Sequence, residues 1–139
     1  MRKSILFLFV ASSLVASCGK PKTPTPNPPT PPVEVEENIA FSLDPDPGAT
    51  TITALAGTHS FKVNVTSKLP SSGVSIDVAT KKESDGSVLE SKNIKSTVAA
   101  NDVTIGTLVS GVLYNVTVVV SSQKTSTNSQ TKTFKIARK

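Results

Sequence analysis

The sequence predicts an all-β protein, in which residues 38–139 fold as a single antiparallel β-sandwich of seven to eight short strands. Apolar and polar residues alternate along most of this region, which is the pattern of strands that bury one face. Clusters rich in Gly, Pro, Asp and Ser separate the alternating runs at the spacing typical of a sandwich. No stretch after residue 17 repeats its apolar residues with the period of a helix.

Six alternating runs define individual strands, and Val, Ile and Thr dominate them, as is usual for half-buried strands. In chain order their inward residues are Ile39, Phe41 and Leu43; Phe61, Val63 and Val65; Val74, Ile76 and Val78; Val103 and Ile105; Tyr114, Val116, Val118 and Val120; and Phe134 and Ile136. The four aromatic residues after residue 17 all occupy inward positions. Surfaces that bind sugars or single-stranded nucleic acids commonly use exposed rings, so this pattern disfavours a carbohydrate-binding module.

Turn-forming residues connect the runs, because Gly, Pro, Asn, Asp and Ser each favour turn conformations. The predicted turns are Pro45–Gly48, Leu69–Gly73, Asp85-Gly86, Asn101-Asp102, Ser110-Gly111 and Ser126–Ser129. We expect a hairpin with a type I′ turn at Asp85-Gly86, since both central residues of that turn need positive φ.

The segment from Leu108 to Val118, LVSGVLYNVTV, resembles the tyrosine corner of fibronectin type III and related immunoglobulin-like domains. In those domains a Leu and a Gly-containing turn precede the Tyr, which opens an alternating strand. The resemblance implies an immunoglobulin-like sandwich, in which the hydroxyl of Tyr114 bonds to upstream backbone and fixes the crossover between the sheets. The alternative is a simple core or surface aromatic. The chain departs from the family in having no Trp.

The first 18 residues have the order of an export signal: Arg2 and Lys3, an apolar run from Ile5 to Val15, then small residues before Cys18. The end of this segment resembles the lipobox of bacterial lipoproteins. That resemblance implies cleavage of residues 1–17 and acylation of Cys18, the only Cys in the chain. The alternatives are a plain secretory signal or a transmembrane anchor, although the apolar run is shorter than the ~20 residues of a spanning helix.

Residues 18–37 form a predicted tether between the acylated Cys and the sandwich. Seven Pro residues lie between residues 21 and 32. Because Pro fixes φ and lacks a backbone donor, we expect an extended polyproline II segment that holds the domain off the membrane. A proline-rich ligand for an SH3-like groove is the alternative, but the Thr-Pro repeats lack flanking basic anchors.

Charge and residue types limit the chemistry that the chain can perform. Removal of residues 1–17 lowers the formal charge from +5 to +3, which does not predict nucleic-acid binding. His59 is the only His, and we interpret it as a strand-end residue rather than a catalytic base or metal ligand. Asp44 and Asp46 suit a turn better than a calcium site. We therefore expect no metal, no cofactor and no enzyme activity.

The combined features resemble surface or periplasmic lipoproteins of Gram-negative bacteria, especially of the Bacteroides group. They predict a non-enzymatic lipoprotein of the cell envelope, anchored by lipid to a membrane that we expect to be the outer one. The domain would face the periplasm or the cell surface and serve a structural or protein-interaction role with an unidentified envelope protein. One alternative is an accessory polysaccharide-binding lipoprotein that uses loops 69–73 and 123–129. Another is a fimbrial or adhesin subunit that exchanges strands at Thr131–Arg138.

Overall fold

The computed structural model describes residues 35–139, which fold as an immunoglobulin-like β-sandwich of eight strands in two sheets. The strands are β1 Phe41–Asp44, β2 Ile52–Ala54, β3 His59–Val65, β4 Val74–Lys82, β5 Val88–Ser96, β6 Ala100–Ile105, β7 Leu113–Ser122 and β8 Ser129–Arg138. The predicted all-β fold class is confirmed. Cys18 and most of the predicted tether lie outside the described residues.

The smaller sheet has the order β1-β3-β6, and the larger sheet has the order β2-β8-β7-β4-β5. All neighbouring strands are antiparallel except β2, which runs parallel to β8. The chain leaves the smaller sheet after β1 and enters the larger one at β2. The predicted turn at Pro45–Gly48 makes this change of sheet possible, and Asp46 Oδ1 accepts a hydrogen bond from Gly48 N (2.9 Å) within it.

The core lies between the two sheets and consists of the inward residues of the alternating runs. Phe41, Phe61, Tyr114 and Phe134 are all buried, as their positions in the alternation predict. The rings of Phe61 and Phe134 meet edge to face across the sheets, with their centroids 5.5 Å apart. Most outward residues of the same strands are polar, and they are exposed or half-buried, so each sheet shows water a largely hydrophilic face.

Two predicted turns differ from the structure. Asn101 and Asp102 belong to β6, and the preceding bend occupies residues 97–99. The side chain of Asn101 is buried and donates from Nδ2 to Val98 O (3.0 Å), so it supports that bend from inside the strand. The β4–β5 hairpin is confirmed, but of Asp85 and Gly86 only Gly86 has positive φ, so the turn is not type I′.

Candidate functional site

The crossover from β6 to β7 contains the two residues that the sequence assigned to a tyrosine corner. Leu108 and Tyr114 are both buried in the core. The hydroxyl of Tyr114, at the start of β7, accepts a hydrogen bond from Val109 N at 3.1 Å. Since β6 and β7 belong to different sheets, this bond closes the loop that links the sheets. The geometry suits a structural role and leaves Tyr114 inaccessible to a ligand.

Loops 69–73 and 123–129, which the ligand-binding alternative names, meet at one end of the sandwich. Gln123 N donates to Gly73 O at 3.1 Å, and Gln123 Nε2 donates to Val74 O at 3.0 Å. The cavity at this end measures about 30 Å³ and is lined by residues 35–37, 68–71 and Lys124. A cavity of that size holds one or two water molecules. We call this end of the domain the entry end, because the chain enters the sandwich here.

The entry end fixes the residues that precede β1. Glu37 Oε2 accepts a hydrogen bond from Lys68 N at 3.0 Å, and Asn128 Nδ2 donates to Glu37 O at 2.9 Å. Asn128 Oδ1 also accepts from Ile39 N at 2.9 Å. One Asn side chain therefore satisfies the backbone on both sides of Asn38. These bonds hold the start of the domain against the loops rather than along a strand.

The opposite end, which we call the far end, carries exposed apolar side chains. It is formed by residues 55–58, 83–87 and 106–112, and Leu108 N donates to Gly57 O (2.9 Å) to join two of these segments. Leu55, Val88 and Val109 lie in or beside these segments and are more than half exposed. Leu55 follows β2 and Val88 opens β5, which are the two edge strands of the larger sheet, so these residues are separate exposed apolar positions rather than one continuous patch.

Arg138 also lies at the far end, and its side chain is half-buried. Its Nη1 donates to Leu108 O at 3.0 Å, and its Nε is buried without a hydrogen-bond partner. The side chain therefore supports the loop that precedes Tyr114. Sequence reasoning missed this because a terminal basic residue gives no signal of burial.

His59 lies at the start of β3, the strand-end position that the sequence predicts, and its side chain is on the inward face. Its ring stacks near Phe61 with centroids 6.3 Å apart, and its Nε2 is buried without a hydrogen-bond partner. Burial lowers the pKa of the imidazole, because the charged form loses hydration there. Within residues 35–139 no group of three or more His, Cys, Asp and Glu side chains could hold a metal ion.

Side chains from the larger sheet close the gap between β5 and β6. Glu90 Oε2 accepts a hydrogen bond from Gly106 N at 3.0 Å, Lys92 Nζ donates to Thr104 O, and the two side chains form an ion pair at 2.7 Å. Burial raises the pKa of the Glu90 carboxyl. The hydrogen bonds from Lys92 and Gly106 and the charge of Lys92 lower it by a larger amount, so the net pKa shift is downward. Charged residues that point inward are a known way to protect an edge strand.

Side chains bridge the gap between β8 and β1 only near the start of β8. Gln130 Oε1 accepts a hydrogen bond from Phe41 N at 2.9 Å, and Lys132 Nζ lies 5.7 Å from the centroid of the Phe41 ring. Both residues share the inward parity of Phe134 and Ile136. Their inward position could have been predicted from the alternation, but only apolar residues were assigned to that face.

After this contact, the edge of β8 is open at Thr131–Lys135. These residues belong to the segment Thr131–Arg138 that the sequence predicts for strand exchange. The short strand β2 covers only Ile136–Arg138. Lys139 N donates to Ala54 O in β2. Because backbone N–H and C=O groups alternate in direction along a strand, those of Thr131 and Thr133 point to the same side of β8 as the N–H of Lys139. Residues 48–51 leave a shallow cavity of about 240 Å³ beside this edge.

Comparison with models of known protein families gave no match, and no curated protein matches the chain in sequence. Residues 35–139 include no helix long and apolar enough to cross a membrane. The candidate sites therefore depend on the geometry of the domain: the entry end, the far end and the open edge of β8.

Proposed function

We propose that this protein is a lipid-anchored, non-enzymatic component of the bacterial cell envelope with a structural or protein-interaction role. The order of an export signal, Cys18, a Pro-rich tether and a small sandwich supports this proposal. The acyl chains on Cys18 would hold the protein on a membrane, and we infer that this is the outer membrane. More than one chain is needed for stable attachment.

The observation that carries the proposal is the position of the entry end relative to the far end. Residues 37–39 are bonded to loops at the entry end, next to Val65 at the end of β3. The far end lies at the start of β3, seven residues away, or about 20 Å. A tether that enters at one end leaves Leu55, Val88 and Val109 free to contact a partner at the other.

The anchor is tested by labelling cells with a radioactive fatty acid and comparing the native protein with Cys18→Ala. We expect label and membrane fractionation for the native protein and loss of both in the variant. An unlabelled native protein in the soluble fraction would refute the anchor.

The contact surface is tested by a photo-cross-linking amino acid at Leu55 in intact cells. The matched control is the same amino acid at Lys62, which lies on the outer face of β3. We expect a defined protein adduct from position 55 and none from position 62. Equal adducts from both positions, or none from position 55, would refute an interaction at the far end.

A polysaccharide-binding role is the second candidate, because the structure brings loops 69–73 and 123–129 together. The cavity there is small, and the same end receives the tether. This candidate predicts that Ser71→Ala with Lys124→Ala abolishes binding to envelope polysaccharide without changing the melting temperature. Binding that is unaffected by these substitutions would eliminate the candidate.

A further inference from the structure

We propose that the open edge of β8 binds the segment Val33–Glu36 of a second copy of this chain as an added strand. Thr131 and Thr133 are exposed, and their backbone donors and acceptors on this side have no partner within residues 35–139. An added strand supplies main-chain hydrogen bonds at such an edge. The five residues of the open edge span about 17 Å, which is long enough for an added strand of four residues.

Charge favours this occupant. Residues 129–139 contain four basic residues and no acidic ones, whereas residues 33–36, VEVE, contain two Glu and no basic residue. Glu83 from the β4–β5 hairpin pairs with Lys135, so Lys132 is the cation of the open edge that no acidic side chain within residues 35–139 balances. Opposite charges on neighbouring strands attract, and two β8 edges repel each other. The edge therefore selects an acidic strand over another β8.

The pattern of the segment also favours an added strand. Val33 and Val35 alternate with Glu34 and Glu36, which is the period of a half-buried strand. Val35 is 89% exposed in its own domain, and both carboxylate oxygens of Glu36 are buried without a hydrogen-bond partner. A buried carboxylate without a partner is costly, so Glu36 gains by moving to a cationic edge.

The described part of this segment, from Val35 onward, occupies a different place in its own chain. Val35 and Glu36 line the cavity at the entry end with residues 68–71, away from Thr131–Lys135. Pairing between copies is therefore heterologous: one copy contributes its acidic segment and the next its β8 edge. Such contacts produce rings or open chains of subunits. The inference deepens the proposed interaction role and rests on it, but the strand addition itself does not need the lipid.

Disulfide trapping between two lipid-free samples tests the contact. Each sample starts at residue 18 with Cys18→Ala; one also carries Glu34→Cys and the other Thr133→Cys. We expect a mixed dimer under mild oxidation, formed at least ten times faster than with the control Ser91→Cys, on edge strand β5. Equal rates for the two positions would overturn the proposal. A third sample carries both Cys residues in one chain. A disulfide that forms only in this sample, and not between the two single variants, would also overturn the proposal.

A proline substitution provides an independent measurement by sedimentation. Thr133→Pro removes a donor that faces the open edge, where Pro is tolerated in strands. We expect concentration-dependent association of the Cys18→Ala protein, weakened by salt and lost in the Thr133→Pro variant at an unchanged circular dichroism spectrum. A monomer at every concentration would refute the strand addition while leaving the fatty-acid test of the anchor unaffected.

Discussion

The bond between Tyr114 and Val109 is tested by Tyr114→Phe, which removes the hydroxyl and leaves the ring in place. Val109 N donates to this hydroxyl at 3.1 Å, and the side chain of Val109 is 53% exposed. Water can therefore reach the loop and replace part of the lost bond. We expect a loss of about 1 kcal/mol in the free energy of unfolding, the net value of one hydrogen bond. For a domain of this size that lowers the melting temperature by about 4–5 °C.

Two further variants separate the hydroxyl from the ring. Tyr114→Ala leaves a cavity at a fully buried position and should cost about 3–5 kcal/mol. Ser60→Ala removes a hydroxyl that bonds Thr104 Oγ1 on the exposed face of the smaller sheet, and it should cost about 0.5 kcal/mol or less. The three losses should therefore rank Tyr114→Ala, Tyr114→Phe, Ser60→Ala.

Urea unfolding followed by far-ultraviolet circular dichroism is the suitable assay, because the chain has no Trp and Tyr114 is its only Tyr. Hydrogen exchange at the Val109 amide gives a local readout, and we expect its protection to fall in Tyr114→Phe. If that variant keeps both wild-type stability and wild-type protection at Val109, the corner bond does not contribute to the fold.

Four further substitutions test other positions by urea unfolding. Gly73→Ala should cost about 2–3 kcal/mol, because Gly73 has φ +82° and a Cβ there would overlap Ser96 O. Gly86→Ala, at φ +70° with no neighbour within 4 Å, should cost about 1 kcal/mol, and equal losses would contradict the crowding argument. The lowered pKa of His59 predicts that its contribution to the free energy of unfolding is full above pH 6.5 and falls as the pH drops below that value. In His59→Gln the free energy of unfolding should not change with pH through this group. The same pH slope in the variant and the native protein would exclude His59 as its cause. The lowered pKa of Glu90 predicts that its stabilisation is full above about pH 4.5 and is lost as pH falls further; Glu90→Gln should lack this slope.

The sequence predicted the strands that face the core. Runs such as Phe61–Val65 and Tyr114–Val120 alternate because each strand buries one side against the opposite sheet. All six runs became strands or the residues that lead into them. The class of fold follows from this periodicity, since alternation with short turns allows few arrangements other than a sandwich.

Strands without a continuous apolar face were not predicted individually. In β5 the inward positions next to Val78 and Thr80 are Lys92 and Glu90, so the alternation reads as polar. Strand β2 has only three residues and gains its place by pairing with β8. Asn101 was assigned to a turn on its intrinsic preference, but the bond from its side chain to Val98 is compatible with a strand. Tertiary contacts decided each of these cases.

The candidate sites were predictable only as separate segments. Loops 69–73 and 123–129 were named from turn residues, but their contact through Gln123 depends on the order of the strands. The edge Thr131–Arg138 was named from the sequence, but not how much of it stays open, because the sequence gives no measure of how far β2 extends along it. Non-local pairing determines which edges remain exposed.

The two open sides of the sandwich are protected in different ways, and the difference gives the β8 edge its selectivity. At β5 the cation of Lys92 is paired with Glu90 and bonded to the backbone of β6, so the charge there is internally balanced. At β8 no acidic residue within the strand balances Lys132. Unbalanced cations oppose pairing with neutral or basic strands but favour an acidic one. The chain supplies an acidic alternating segment immediately before the domain. The basic residues that keep other strands from pairing with β8 therefore also favour pairing with this segment.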